Sequence, residues 1–196
     1  MAAPAPRFAD YDDLLAAPDH LVAELVAGEL YTSPRPAPKH SVASTSLSEA
    51  LGPPFRRGQG GPGGWLILFE PELHLGPNVL VPDLAGWRTE RMPAVPDTPA
   101  IDLAPDWLAE VLSPSTRRLD RMVKLPVYAQ AGVRHLWLVD PEAQTVEVYR
   151  LQEDGYLLLG VHGEREVAAM EPFEAVPIEL CWLWGERPDD EPAKEP

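Results

Sequence analysis

The chain has 196 residues, with 31 acidic against 16 basic side chains and a formal charge of −15. That length fits one domain, and 45% hydrophobic residues can fill a real core. No apolar run approaches the ~20 residues of a membrane-spanning helix, and the acidity disfavours a protein that coats DNA through a broad basic face. A compact site needs only a local basic patch, since a divalent cation can offset phosphate charge among carboxylates. The single cysteine, Cys181, cannot close an intrachain disulfide, and the start MAAPAPRFADYDDLL has neither the cationic region nor the apolar run of a signal peptide. A cytoplasmic protein without membrane contact is therefore expected.

The 24 prolines are scattered between apolar segments and read as rigid connections. Residues 1–8 and the acidic tail 186–196 lack the apolar content to fold, which leaves one domain over 9–185. Within it, 9–17 has the pattern of a short amphipathic helix, and 22–33 alternates about Ala27-Gly28 as a hairpin does. Residues 40–51 place Val42, Leu47 and Leu51 near helical spacing before Gly52-Pro53-Pro54 stops the helix. The GQGGPGG stretch, 58–64, lacks the GK[ST] ending of a phosphate-binding loop and reads as a turn. WLILFEPELHL and then NVLVPDLAGWR follow as two strand-like runs.

A third strand, 106–112, leads into Ser113-Pro114-Ser115-Thr116, whose oxygens suit a helix start, and a helical pattern runs from Arg118 to Ala131. Gly132 suits its end. VRHLWLVDP, TVEVYRL and GYLLLGV then continue as strands. The total is a mixed α/β domain with a central sheet flanked by helices and an N-terminal hairpin. Trp182 and Trp184 are expected to cover a sheet edge; exposed, they would form an apolar patch suited to a homodimer.

Three polar residues sit where their neighbours predict burial: Asp83 in VLVPDLAGW, Glu110 in DWLAEVLS and Lys124 in RRLDRMVKLPVYAQAG. Buried charges need partners, so these three are expected to meet one another or a metal. If their strands pair, Asp83 and Glu110 bring two carboxylates within a few ångströms, and such a pair repels unless a cation lies between. Oxygen ligands favour Mg²⁺ or Mn²⁺ over zinc, and no Cys pair or HExxH is present. Lys124 would hold a water and stabilise charge on a phosphoryl oxygen. Asp120 and Lys124, four apart, share a helix face, while Arg117, Arg118 and Arg121 give that helix a basic flank for substrate phosphate.

At these residues, PDLAGWR, DWLAEVLSPSTRRLDRMVKLPVYAQAGVRHLWLVDP and VEVYRL, the chain resembles the Uma-two family of the PD-(D/E)XK restriction-endonuclease-like superfamily. The resemblance runs from about Tyr11 to Leu159 and implies a mixed central sheet flanked by helices, with a Mg²⁺-dependent nuclease-type site acting on nucleic acid, DNA above all. Asp83 matches the aspartate of the PD motif and Glu110 the acidic residue of the (D/E)XK motif. Leu112 stands where the general pattern has lysine, so the resemblance requires Lys124 to reach the same space from the following helix. His40 is a candidate proton shuttle or phosphate contact, and Glu70 a further acidic ligand, with Glu72 on its face. Glu24 and Glu29 are expected in solvent. Two alternatives stay open: a nuclease-fold binding or regulatory module without chemistry, and a small-molecule phosphodiesterase.

Overall fold

The structure, a computed structural model, describes residues 7–153 and 155–189. The fold is mixed α/β. Six strands form the central sheet in the order β10-β9-β8-β7-β6-β3. They are β3 (Trp65–Phe69), β6 (Leu84–Arg88), β7 (Trp107–Val111), β8 (His135–Asp140), β9 (Thr145–Gln152) and β10 (Gly155–Gly163). Only the β7–β8 pair within this sheet is parallel, and its crossover is helical, as a parallel connection requires. That crossover is a rod of three segments: α3 (Arg117–Leu119), a π-helical turn (Asp120–Lys124) and α4 (Leu125–Gln130).

A smaller antiparallel sheet carries β1 (Val22–Val26), β2 (Glu29–Ser33), β4 (Leu73–Leu75) and β5 (Asn78–Leu80), in the order β2-β1-β5-β4. The expected hairpin is there, with Ala27 at φ 54° and Gly28 at φ 82° making the turn. The two long runs expected as single strands are each broken at a proline. WLILFEPELHL divides at Glu70-Pro71 into β3 and β4, and NVLVPDLAGWR divides at Val81-Pro82 into β5 and β6. Proline cannot donate to a ladder, so each break transfers the chain from one sheet to the other.

Prolines also shape the helices. α2 (Pro38–Leu51) begins two residues earlier than expected, with Pro38 at its first turn, and does not stop at Gly52. It runs on as a π-helical turn, Gly52–Arg56, closed by Arg57 N donating to the Gly52 carbonyl at 3.0 Å. In the crossover rod Pro126 likewise lacks an N–H, and Leu125 N reaches back five residues to the Asp120 carbonyl. α1 (Tyr11–Leu15) is shorter than its expected range and buries no side chain; Asp10 caps it through the amides of Asp12 and Asp13.

Side-chain alternation sends each strand's residues into one of two cores. Trp107, Ala109 and Val111 of β7 join a cluster with Leu47, Leu51, Trp65, Trp137 and Phe173, on the α2 side. Leu108 and Leu112 join the other cluster with Ala85, Trp87, Tyr128 and Leu136, on the side of the rod and the small sheet. Gly86 is needed where the first core is tightest: a Cβ there would stand 3.2 Å from Trp107 and 3.3 Å from Trp65. Trp184 packs against this core, whereas Trp182 is 47% exposed.

Residues 1–6 and 190–196, expected to lack fixed structure, lie outside the described residues. Arg7 pairs with Asp10 and Asp13, and Arg165 binds the Glu186 carboxylate and the carbonyls of Arg187 and Pro188. Among the described residues no helix is long and apolar enough to cross a membrane.

Candidate active site

The face of β7 that carries Leu108 and Leu112 also carries Glu110 between them. β6 pairs antiparallel with β7, with Leu84 opposite Ala109 and Ala85 opposite Leu108, so the register carries Asp83, just before β6, to Glu110. Asp83 alternates with Ala85 and Trp87 and therefore shares the Glu110 face. Its Oδ2 accepts from Val111 N at 2.7 Å, which fixes the carboxylate beside β7. The two sequence-predicted acids thus come together at one end of the sheet, both nine-tenths or more buried.

Lys124 reaches the same place from the π-helical turn. Its Nζ lies 3.3 Å from Glu110 Oε1 and 3.4 Å from Asp120 Oδ1. A third carboxylate, Glu24, stands nearest, at 2.8 Å. Glu24 corrects the expectation of a solvated hairpin acid, for it is buried, while Glu29 is exposed as expected. In VAELV the glutamate stands among apolar neighbours, the same burial signal that Glu110 carries in WLAEVL. Tyr128, also unforeseen, donates its hydroxyl to Glu110 Oε1 at 2.5 Å.

Three acids around one ammonium leave an excess of negative charge. Burial pushes the Glu110 carboxyl well above its ordinary range; Lys124 opposes that rise, while Asp120, Glu24 and Asp83 add to it. Burial likewise raises Asp120. For Lys124 burial favours the neutral amine, but Glu110, Glu24 and Asp120 outweigh it and hold the ammonium well above its usual pKa.

His40, in the first turn of α2, places Nε2 3.1 Å from Asp83 Oδ1 and also bonds the Val111 carbonyl. Burial works against its protonation, yet the Asp83 carboxylate and that carbonyl prevail and raise its pKa. Glu70 follows β3 with a left-handed backbone, φ 44°, its N–H on the Asp83 carbonyl at 3.0 Å. Such strain in a residue other than glycine costs energy and clusters at functional sites. Burial, then the Asp83 charge, raises the Glu70 carboxyl. Glu72 does not share its face, because the break at Pro71 sends it to the Tyr11 hydroxyl and His74.

Glu24, His40, Glu70, Asp83, Glu110, Asp120 and Lys124 line a cavity of about 270 Å³, together with the 33–37 segment and the 113–116 turn. Arg35 is the arginine on its wall. Of the basic flank, Arg117 is paired with Asp140 and Glu142 and Arg121 with Glu147, while Arg118 is exposed.

The donors suit a hard cation of low protein coordination. Asp83 and Glu110 present oxygen donors on one sheet face, and His40 Nε2 lies 3.1 Å from Asp83 Oδ1. Among the described residues no three acidic, histidine or cysteine side chains form a ready cage.

Comparison with known proteins agrees with the fold and its placement. The model of the Uma2 family, described as "Putative restriction endonuclease", matches residues 8–180. No curated protein matches the chain. Among solved structures, a "putative nuclease belonging to DUF820" from Anabaena variabilis superposes with a TM-score of 0.68 at 24% identity, covering 89% of this chain and 96% of its own.

Proposed function

The chain belongs to the Uma2 family, and from that premise we propose that it is a Mg²⁺- or Mn²⁺-dependent nuclease hydrolysing phosphodiester bonds of DNA. The observation that carries this reading is the convergence of Asp83 and Glu110 on one sheet face with Lys124 3.3 Å from Glu110. Asp83 and Glu110, with the Val111 carbonyl, would hold the cation, and Glu70 is the nearest candidate for a further oxygen. When bound, such a cation supplies Lewis-acid polarisation of a phosphoryl oxygen and offsets phosphate charge.

The remaining steps belong to side chains of this chain. Lys124 donates to the attacking water and orients it toward phosphorus. His40 holds a proton beside Asp83 and can exchange it with water entering the cavity. Arg35 on the wall and the exposed Arg118 supply attraction for substrate phosphate in an otherwise acidic molecule.

The test is cleavage of plasmid DNA and of single-stranded DNA and RNA, with Mg²⁺ or Mn²⁺ added to chelator-treated protein. Metal-dependent cleavage that is lost in Asp83→Asn is the expected result; no cleavage of any nucleic acid under these conditions would overturn the reading. A second reading, a binding module that keeps the fold without chemistry, draws on Lys124 being enclosed by three carboxylates at 5% side-chain exposure. Calorimetry separates the two, because a binding module takes up nucleic acid without divalent cation. A phosphodiesterase for small molecules, which the 270 Å³ cavity would accommodate, would instead cleave a chromogenic phosphodiester and leave polymers intact.

A further inference from the structure

Two carboxylates of the cavity wall, Glu24 and Asp120, have no part in the chemistry proposed above. Glu24 comes from β1, in the small sheet, yet both its oxygens are engaged across the domain. Oε1 accepts from Val81 N at 2.8 Å, two residues before Asp83, and Oε2 meets Lys124 Nζ at 2.8 Å. β1 is itself held between two neighbours, for Leu25 pairs with Leu30 of β2 and with Val79 of β5. The carboxylate is therefore mounted on a fixed strand and spans from the segment entering β6 to the crossover rod.

Lysine is a flexible four-carbon arm with a mobile head, so holding its ammonium in one place takes several anchors. Asp120 lies four residues earlier on the same rod and moves with Lys124. Glu110 is a proposed cation ligand, so its charge is drawn away from the lysine when a cation binds. Glu24 is the anchor that depends on neither. Resting on the nuclease reading, we infer that Glu24 is a positioning residue: it holds the Lys124 ammonium at Glu110 and, through Val81, sets the approach of Asp83, so that the N-terminal sheet completes the active site.

The test uses the full chain with Glu24→Gln, nearly isosteric, and Glu24→Asp, which keeps the charge on a shorter arm. In Glu24→Gln the amide oxygen can still accept from Val81, but the lysine loses its nearest anion. Two readouts are taken on protein shown to be folded by circular dichroism. The first is acetic anhydride labelling, resolved by peptide mass spectrometry, with the exposed Lys39 as internal reference. Lys124 labelling is expected to rise about tenfold in Glu24→Gln relative to Lys39, a change that misplacement of the amine would produce.

The second is the kinetics of Mn²⁺-dependent DNA cleavage, where kcat is expected to fall about 10²-fold with little change in KM, as for a mispositioned catalytic group. Glu24→Asp should recover part of both. A folded Glu24→Gln protein whose Lys124 stays as protected as in wild type overturns the inference, as does an unchanged kcat. Should Glu24→Gln fail to fold, Glu24→Asp carries the comparison, and its matching wild type in both readouts overturns it equally. If the wild type cleaves nothing, the nuclease reading falls, and the labelling still decides whether Glu24 holds Lys124.

Discussion

Tyr128 donates its hydroxyl to Glu110 Oε1 at 2.5 Å, and the same oxygen lies 3.3 Å from Lys124 Nζ. One carboxylate oxygen thus collects a phenol from α4 and an ammonium from the π-helical turn one helical turn earlier, while its strand pairs with the segment after Asp83. The proposed cation ligand is oriented before any cation arrives, which is the condition for a site that spends little on reorganisation.

Removing that phenol should be costly out of proportion to its size. Tyr128 is fully buried, so Tyr128→Phe keeps the ring packing and deletes one hydrogen bond to an acidic acceptor. Urea unfolding should find about 1–3 kcal/mol lost, the range for leaving a buried polar group without its partner. A loss below about 0.5 kcal/mol would mean that Glu110 is held without Tyr128.

Lys124 carries a structural burden as well as the proposed chemical one. Lys124→Met leaves Glu24, Glu110 and Asp120 facing one another in a buried space. Breaking a buried ionic group by removing one partner costs about 3–5 kcal/mol, and denaturant unfolding should show it. Any cleavage assay of a Lys124 variant therefore needs a stability measurement beside it, since lost cleavage alone would not separate lost chemistry from lost fold. A Met variant as stable as wild type would contradict the ionic cluster.

The Arg121–Glu147 pair makes a prediction with a defined pH sign. Arg121 binds Glu147 through both guanidinium nitrogens at 2.7 Å, and that bond holds the Glu147 carboxyl below its ordinary pKa. A depressed carboxylate stabilises the fold above its unfolded value, about 4.3, and the contribution fades as pH falls through the folded value. The pair is partly exposed, so Glu147→Gln should cost about 0.5–1 kcal/mol at pH 7. The two proteins should converge in stability as pH falls through the folded value. A deficit that does not shrink at all as the pH is lowered through the acid range would assign the effect to packing. The Tyr149 phenol, pushed up to about 12 by burial and then by its bond to Glu147, should titrate lower in the same variant.

The main features of this architecture can be read along the chain because they depend on local pattern. The hairpin about Ala27-Gly28, the apolar runs of β6 to β9 and the polar residues lodged in apolar rows at Asp83 and Glu110 all follow from neighbours within a few positions. What escapes is pairing between distant segments. Glu24 has its meaning only through Lys124, 100 residues away, and Val81, 57 away. Arg117 and Arg121 look free along the sequence because their acids, Asp140 and Glu147, lie on β8 and β9. The two long apolar runs hide their breaks for a different reason: Pro71 and Pro82 end ladders by lacking a donor, a local rule that continuous hydrophobicity obscures.

The aromatic core gives a stability effect as large as that of the buried lysine. Phe173 is 1% exposed and sits within 4.6 Å of Phe55, 4.8 Å of Trp65, 5.0 Å of Trp107 and 5.6 Å of Trp137, ring centre to ring centre. These rings come from the π-helical extension of α2 and from β3, β7 and β8, so Phe173 closes the α2 side of the sheet from a segment with no strand of its own. Large neighbouring rings cannot collapse into the space it leaves, and Phe173→Ala should cost about 3–5 kcal/mol, or about 10 °C in Tm for a domain of this size. Near-ultraviolet dichroism should weaken, because Trp107 and Trp137, edge to face at 5.3 Å, lose the ring that both contact. Trp182→Ala, which truncates a larger but 47% exposed ring, provides the control and should change stability by about 0.5 kcal/mol or less. Equal losses in the two variants would mean that Trp182 is covered in solution, by a second copy of the chain or another partner, and concentration-dependent sedimentation of the wild type would then distinguish the former.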